Sequence, residues 1–303
     1  MLNPEVFSLS REVEGALADG RAVVALESTV IAHGLPRPQN LDTALRLEQL
    51  VREAGAVPAT IAVIAGRVRV GLDRAALEHV ATRQPIHKLS TRDLPVAIAR
   101  KLDGATTVAT TAFLAARAGI SVFATGGIGG VHRGPLPDVS ADLPELARTH
   151  LAAVVCSGAK SVLDLAATRE WLETHGVTVV GYGCDEMPAF YTRASGLPVD
   201  VRADTPEEVA ALARARRALG LAGALLVAVP VPVEDEVPKA IVEDSLTSAL
   251  AEAEREGVAG RDLTPFLLRR LAERSRGATL RANVALLQQN TRVAAEIAVA
   301  LAS

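Results

Sequence analysis

The sequence predicts an α/β protein: a three-layer α/β/α sandwich with a largely parallel or mixed central sheet and extra helices at its C-terminal end. Up to Pro232, short apolar runs alternate with segments of helical periodicity, which is typical of strands joined by helices. After Pro232 the apolar runs stop and helical segments follow one another. No linker, repeat or low-complexity segment divides the chain, so we expect a single domain over residues 1–303.

Six apolar runs are predicted to be buried strands, because they lack the polar alternation of a sheet with one face in solvent. Only 3% of the residues are aromatic, so Ala, Val, Leu and Ile must fill the core around these strands. The predicted strands are residues 21–26, 59–64, 121–124, 152–156, 177–181 and 224–229.

Helical periodicity and end signals predict the helices between and after these strands. Thr205 is followed by Pro206 and then by Glu208, which is a capping box with proline at the first helical position. Thr264 before Pro265 repeats this start signal. The predicted helices are residues 42–54, 73–80, 107–118, 143–149, 161–174, 205–218, 237–255, 264–274 and 280–301.

Composition excludes several classes of protein. A net charge of −3 and a pI near 6.1 give no electrostatic footprint for nucleic acid. Cys156 and Cys184 form neither a disulfide framework nor a metal cluster. Residues 1–20 lack the apolar stretch of a signal peptide, and residues 221–233 hold prolines and are too short to cross a bilayer. The sequence therefore predicts a cytoplasmic protein without nucleic-acid or membrane partners.

Lys160 is a candidate catalytic residue because of its place in the predicted sheet. It follows the apolar strand 152–156, where a helix is predicted to begin. In open α/β sheets, ligands bind at the carboxyl ends of strands. A lysine amine that is desolvated there loses its charge more easily than an exposed one and can act as a nucleophile.

A glycine-rich loop, Gly126–Gly130, follows Thr125 at the end of another predicted strand. Glycines allow close approach and positive φ, and successive N–H groups can bind an anion. His132 adds a polar group that a plain tight turn, the alternative interpretation, does not need. The spacing does not fit a dinucleotide-binding fingerprint, since the third glycine position is His132 and residues 135–137 replace the expected helix.

Polar residues follow the loop at Asp138, Ser140 and Asp142. One carboxylate with several waters is a usual arrangement for Mg²⁺ or Mn²⁺, and the other side chains could contact hydroxyl groups. Ser140 or Asp142 could instead cap the helix that follows. The residues alone do not choose between these interpretations.

Glu27, Lys88 and Asn283 complete the candidates. Glu27 ends a buried strand, where burial raises the pKa of a carboxyl group and suits it to general acid catalysis; the alternative is a structural ion pair. Lys88, within the segment 86–90, is also predicted to lie at the end of a strand, although a surface lysine is the default interpretation. Asn283 lies in the last predicted helix, from which its amide could reach the site or remain at the surface.

Together these segments resemble the pseudouridine-5′-phosphate glycosidase family, also called the indigoidine synthase A-like family. The similarity covers nearly the whole chain, and the motifs occur in one order. The segments that carry it are residues 24–34, 36–40, 55–62, 92–95, 104–109, 126–134, 139–143, 154–161 and 264–268.

The resemblance implies a homotrimeric enzyme that uses a divalent metal, typically Mn²⁺, for reversible cleavage of pseudouridine 5′-phosphate to uracil and ribose 5-phosphate. It implies Glu27 as proton donor, Lys160 as nucleophile and Asp138 as metal ligand. The substrate-binding positions that it implies are Lys88, Val108, Ser140, Ala141 and Asp142, with Thr125, His132 and Asn283 near the base or the ribose.

The bond to be cut joins C1′ of the ribose to C5 of uracil, so an oxygen leaving group cannot be protonated as in ordinary glycosidases. We expect Glu27 to protonate the ring oxygen and Lys160 to form an imine with ring-opened ribose. The alternatives are another sugar-phosphate lyase or N-glycosidase on the same scaffold, and a ligand-binding or regulatory protein with a decayed site. The intact Glu27, Lys88, Asp138 and Lys160 argue against a decayed site.

Overall fold

The computed structural model describes residues 2–133, 138–258, 260 and 263–303. Eleven strands in this part of the chain form one sheet, in the order β1-β4-β3-β2-β7-β8-β11-β9-β10, with β6 beside β3 and β5 beside β6. The strands are β1 (Phe7–Leu9), β2 (Val23–Leu26), β3 (Val57–Ile64), β4 (Arg67–Val70), β5 (His87–Leu89), β6 (Gly104–Thr106), β7 (Val122–Ala124), β8 (Ala153–Cys156), β9 (Val179–Tyr182), β10 (Val201–Ala203) and β11 (Leu225–Ala228).

Strand β3 joins the parallel centre of the sheet to its mixed edge. Its first half pairs in parallel with β2, and its second half pairs antiparallel with β4. β6 is also antiparallel to β3. The remaining ladders between these strands are parallel. The predicted parallel or mixed sheet is confirmed.

Helices cover both faces of this sheet. Helix α11 packs against β2, β7 and β8 and against helices α2 and α8, while α5 contacts β2, β3, β7 and helix α6. The helices are α1 (Arg11–Ala18), α2 (Gln39–Glu53), α3 (Arg74–Thr82), α4 (Leu94–Ala99), α5 (Val108–Ala118), α6 (Asp142–Arg148), α7 (Leu165–Thr174), α8 (Pro206–Ala218), α9 (Lys239–Glu256), α10 (Leu263–Arg274) and α11 (Ala278–Ala302).

The six predicted strands are confirmed, with ends displaced by two residues or fewer. Strands β1, β4, β6 and β10 were not predicted, because each is short and contains polar residues or glycine, so none forms a continuous apolar run. Residue Lys88 lies in the middle of β5 rather than at its end.

The start signals of several helices are confirmed by side-chain hydrogen bonds. Thr205 and Glu208 form the predicted capping box, and Asp73 accepts from Ala76 N as the N-cap of α3. Gly119 ends α5 in the left-handed conformation, with φ of 86°. These local signals place helix ends well because each depends on a few neighbouring residues.

Three predicted helix starts are wrong. Helix α2 begins at Gln39 rather than at residue 42. Helix α7 begins at Leu165 rather than at residue 161, because Asp164 is its N-cap and accepts from Ala167 N at 2.9 Å. Helix α10 begins at Leu263, so Thr264 lies inside its first turn. Proline is tolerated in a first turn, where N–H groups have no partner in the helix.

The core is a large cluster of small aliphatic residues between the sheet and its two helical layers, with a smaller cluster under α2 and α3. Cys156 is fully buried in it, as expected for a small strand residue. In the part of the chain that the structure describes, no helix has the length and apolar character needed to cross a membrane.

Candidate active site

A cavity of about 590 Å³ opens at the carboxyl ends of parallel strands. Glu27 follows β2, Lys88 lies in β5, and the glycine loop and Lys160 follow β7 and β8. The structure brings ten of the eleven predicted site residues to its wall: Glu27, Lys88, Val108, His132, Asp138, Ser140, Ala141, Asp142, Lys160 and Asn283. The eleventh, Thr125, is bonded directly to Glu27.

The Glu27 carboxyl is the candidate proton donor of this cavity. Thr125 Oγ1 donates a hydrogen bond to Glu27 Oε1 at 2.5 Å. Burial raises the pKa of Glu27 above its ordinary value; Lys160, the Thr125 hydroxyl and Lys88 oppose this shift, and Asp142 adds to it. Because the shift is upward, Glu27 keeps its proton at a higher pH than an exposed glutamate and can donate it.

Lys160 reaches the cavity from a series of turns between β8 and α7. Its Nζ donates to Gly127 O at 2.6 Å, and its backbone N donates to Ile128 O at 3.1 Å. Gly158 precedes it with φ of 79°, and a Cβ there would collide with the backbone of Pro188. The amine is therefore oriented by the glycine loop rather than by a helix.

The glycine loop differs from the sequence expectation. Among its glycines, Gly126, Gly127, Gly129 and Gly130, none has a positive φ. Glycine is required there by close packing instead: a Cβ at Gly127 would lie 2.6 Å from the Phe190 ring, and one at Gly129 would collide with the side chain of Ser140. The loop is thus a packed support for its neighbours.

The loop's anion position is taken by a carboxylate of the same chain. Asp142 Oδ2 accepts from Gly129 N and Asp142 Oδ1 accepts from Ala109 N, both at 2.8 Å. Asp142 is the first residue of α6 and does not cap that helix with its side chain; Ser140 Oγ accepts from Asp142 N at 3.3 Å and supports the turn. Of the two proposed caps, Ser140 is the one that contacts the start of α6.

The cationic side of the cavity lies near β5 and the start of α5. Lys88 and the buried Val108 both line it. The charge of Lys88 lowers the pKa of Glu27. The pKa of His33 is lowered mainly by burial and, to a smaller extent, by the charge of Lys88. The positive charge of Lys88 could bind an anionic ligand on this side of the cavity.

His132 and Asp138 are joined through the backbone, where His132 N donates to Asp138 O at 2.8 Å. Asp138 is exposed, and its position on the cavity wall offers a hard oxygen ligand to a divalent cation. In the described ranges no group of three or more His, Cys, Asp or Glu side chains is placed to hold a metal. Residues 134–137, which include the Pro135–Pro137 segment after the glycine loop, lie outside the described residues.

Asn290 is a structural residue of the site that sequence reasoning missed. It is fully buried in α11; its Nδ2 donates to Thr125 O at 2.8 Å and Gly126 O at 3.2 Å, and Ser157 Oγ donates to its Oδ1 at 3.2 Å. An asparagine on the apolar face of a helix is the signal that could have revealed it. Asn283, which was predicted, lies on the same helix and lines the cavity.

Thr29 and His33 were also missed. Both line the cavity, and neither Thr29 Oγ1 nor His33 Nε2 has a hydrogen-bond partner in the described structure. They belong to the π-helical turn Val30–Gly34 and its N-cap, which follow Glu27 directly. The alternation of a strand with a regular helix gives no warning of such a turn.

The fold and this cavity define an α/β/α protein whose lysine, glutamate and glycine-loop groups meet at the carboxyl edge of a parallel sheet. The family model described as indigoidine synthase A like protein matches residues 12–300. The chain belongs to the indigoidine synthase A like family.

Individual relatives are similar over nearly their whole length. The pseudouridine-5′-phosphate glycosidase of Caldanaerobacter subterraneus subsp. tengcongensis is 52% identical, over 97% of this chain and 96% of its own. The protein of the same name from Streptomyces griseus subsp. griseus is 56% identical, over 97% of this chain and 92% of its own. The crystal structure of the prealnumycin C-glycosynthase AlnA in complex with ribulose 5-phosphate has a TM-score of 0.91 and 42% identity, covering 99% and 98% of the two chains.

Proposed function

We propose that this chain reversibly cleaves the C1′–C5 bond of pseudouridine 5′-phosphate, giving uracil and ribose 5-phosphate. The observation that carries the proposal is that Glu27, Lys88 and Lys160 line one cavity in a chain about half identical to proteins named for this activity. The structure of a C-glycosynthase with a bound pentulose phosphate supports the same class of bond and ligand.

The first step that we propose is opening of the ribose ring. Glu27 gives its proton to the ring oxygen as the bond from that oxygen to C1′ breaks. The neutral amine of Lys160 adds its lone pair to C1′, and the proton that the new ammonium loses returns to the Glu27 carboxylate. The raised pKa of Glu27 supports both roles, because the group keeps its proton to a higher pH than an exposed glutamate and can then donate it.

The second step breaks the carbon–carbon bond. The nitrogen lone pair forms an imine to C1′, the C1′–C5 electron pair passes to uracil, and C5 takes the proton held by Glu27. Water then hydrolyses the imine to the aldehyde of open-chain ribose 5-phosphate and frees Lys160. An amine suits this position because it can form an iminium, which a carboxylate or hydroxyl cannot.

Other residues bind and orient. The contact of Lys160 Nζ with Gly127 O aims the amine along the cavity wall, and the charge of Lys88 is suited to the substrate phosphate. Asp138 fits as a ligand to Mn²⁺ held mostly by water, since its carboxylate is exposed at the cavity. Such a cation, when bound, offsets negative charge on the ligand.

The remaining parts of the proposal concern assembly and place. We expect a homotrimer in the cytoplasm. The half-exposed Val96 and Phe113 on α4 and α5 offer apolar surface for contact between copies. Light scattering of the purified chain measures the assembly directly, and a monomer would contradict it.

Synthesis of the C-nucleotide tests the proposed reaction. The chain is incubated with uracil, ribose 5-phosphate and Mn²⁺, and the product is separated by chromatography and identified by mass and by its resistance to N-glycoside hydrolysis. A stable C-nucleotide supports the proposal, and ribose in place of ribose 5-phosphate is the control for the phosphate. An N-nucleotide, or no product from a folded chain, would contradict it.

A second candidate is C-glycoside synthesis on an acceptor other than uracil. The 42% identity to a C-glycosynthase that binds ribulose 5-phosphate favours keeping it. The lysine and glutamate would have the same roles, so the acceptor distinguishes the two functions. Reaction of ribose 5-phosphate with a carbon acceptor other than uracil, but not with uracil, would favour the second candidate.

A further inference from the structure

Asp142 connects two elements that hold different parts of the cavity. Its two carboxylate oxygens accept from Ala109 N, in the first turn of α5, and from Gly129 N, in the glycine loop. The side chain is almost fully buried, with 7% of the residue exposed. A buried carboxylate that is bonded at both oxygens by backbone groups fixes those groups relative to each other.

The glycine loop passes this restraint to Lys160. Gly129 packs so closely on Ser140 and Asp142 that a Cβ would collide with both. Two residues earlier, Gly127 O accepts the Lys160 amine, and Ile128 O accepts from the Lys160 backbone. A displacement of the loop at Gly129 therefore displaces the amine.

Asp142 also acts on Glu27 through its charge. Two lysines and one hydroxyl face Glu27 and favour its ionised form: Lys160, Lys88 and Thr125. Asp142 is the neighbouring group whose charge opposes them. Its carboxylate thus offsets part of the positive field at the proton donor.

We infer that Asp142 is a positioning residue, which holds the glycine loop in place and through it aligns the Lys160 amine. The inference rests on the proposed function for its kinetic readouts. The Asp142 carboxylate occupies the position at Gly129 N that a bound anion would otherwise take.

Two variants separate the geometry from the charge. Asp142→Asn keeps the size of the side chain, removes the charge, and turns an amide N–H toward one of the two backbone N–H groups. Asp142→Glu keeps the charge and moves the carboxylate by one methylene. Glu145→Gln is the matched control, because Glu145 is a buried acid on the same helix that pairs with Arg148 and not with the loop.

For Asp142→Asn we expect kcat to fall about 10- to 100-fold, the scale of a misplaced catalytic group. The basic limb of the kcat profile should move to lower pH, because the pKa of Glu27 falls when the neighbouring negative charge is lost. Asp142→Glu should lower kcat without moving that limb, and Glu145→Gln should do neither. The Kd of ribose 5-phosphate should change less than threefold in all three variants.

A readout independent of turnover is amide exchange. In Asp142→Asn, the amides of residues 126–130 should exchange faster than in Glu145→Gln, whether or not the chain makes a C-nucleotide. If the exchange is unchanged, the inference is wrong even in an active enzyme. A loss of ribose 5-phosphate affinity above tenfold with an unmoved pH limb would identify Asp142 as a ligand contact and overturn it. If Asp142→Asn does not fold, the fall in kcat and the faster exchange of the amides of residues 126–130 are measured in Asp142→Glu instead.

Discussion

A hydrogen bond to one backbone carbonyl, Gly127 O, orients the Lys160 amine in the cavity. The amine donates to Gly127 O at 2.6 Å, so the glycine loop sets the direction in which the amine points. An amine of this kind can present a lone pair to an electrophilic carbon. The proposed nucleophile therefore owes its place to the turns after β8.

Replacement of Lys160 tests that assignment. We expect Lys160→Ala and Lys160→Arg to abolish turnover, because neither side chain can form an imine. Borohydride should trap a ribose 5-phosphate adduct on the unmodified chain, found by peptide mass spectrometry at Lys160, and on neither variant. Lys239→Ala, an exposed lysine on α9, is the control. Normal turnover by a correctly folded Lys160→Ala would exclude the mechanism.

A second prediction concerns the hydrogen bond from Thr125 to Glu27 and its effect on the pKa of Glu27. This bond lowers the pKa of Glu27, against the larger effect of burial. Thr125→Val removes it, so the pKa of Glu27 should rise and the basic limb of the kcat profile should move to higher pH. Glu27→Gln should lower kcat by about 10²-fold or more, the scale of general acid catalysis. An unmoved limb in Thr125→Val would show that another group controls it.

The same raised pKa has a consequence for stability. Since the pKa of Glu27 is higher in the folded chain than in the unfolded chain, folding favours the protonated form. The destabilisation that ionisation of Glu27 causes begins above the unfolded-state pKa, grows as the pH rises toward the folded-state pKa and is complete above it. Glu27→Gln should therefore raise the free energy of unfolding at pH 8 more than at pH 5, as measured in urea. An equal change at both values would contradict the raised pKa.

At the scale of secondary structure, helix α11 fixes the loops at the ends of β7 and β8. Asn290 bonds the backbone of Thr125 and Gly126 after β7 and the hydroxyl of Ser157 after β8. These loops carry the partner of Glu27 and the approach to Lys160. A helix distant in sequence thus aligns the proposed acid with the proposed nucleophile.

Truncation of this side chain tests the connection. Asn290→Ala should lower the free energy of unfolding by about 2–4 kcal/mol, because it removes three hydrogen bonds and takes the amide away from Thr125 O and the Ser157 hydroxyl, while Gly126 O keeps Ser157 N as a donor. Gln288→Ala, a half-buried residue on the same helix, should change it far less. Urea unfolding measures both. Equal effects would show that the amide contributes no more than ordinary packing.

The sequence predicted the elements that long periodicity or local caps define. The apolar strand Ala153–Cys156 and the capping box at Thr205 were found because their signals lie within a few residues. The short strand Gly104–Thr106 and the π-helical turn Val30–Gly34 were missed, because tertiary pairing and not local pattern stabilises them. The turns before α7 were mistaken for helix for the same reason.

For the whole molecule, the resemblance identified more of the site than physical reasoning could. Periodicity placed Glu27 and Lys160 at strand ends, and the topology brings these ends together. Val108 and Ala141 have no reactive group, so their cavity positions could come only from the resemblance. The burial of Asn290 and the two-sided contact of Asp142 depend on packing across the sheet, which no local pattern encodes.

The proposed metal is taken up from the solution, so its removal tests the enzyme as a whole. We expect EDTA to reduce activity and Mn²⁺ to restore it, since the substrate phosphate and base need charge compensation. Asp138→Asn should need a higher Mn²⁺ concentration for half-maximal recovery, while Asp244→Asn, an exposed acid on α9, should match the unmodified chain. Titration of EDTA-treated protein measures both. Full activity in EDTA would exclude a metal requirement.

Helix α11 has a further consequence for biosynthesis. It covers β2, β7 and β8, yet a ribosome makes all of these strands long before it makes α11. Until α11 emerges, the nascent chain must leave one apolar face of its sheet open to water or to a chaperone. The active site therefore cannot form before α11 has been synthesised, and a chain that is truncated before α11 should be prone to aggregation.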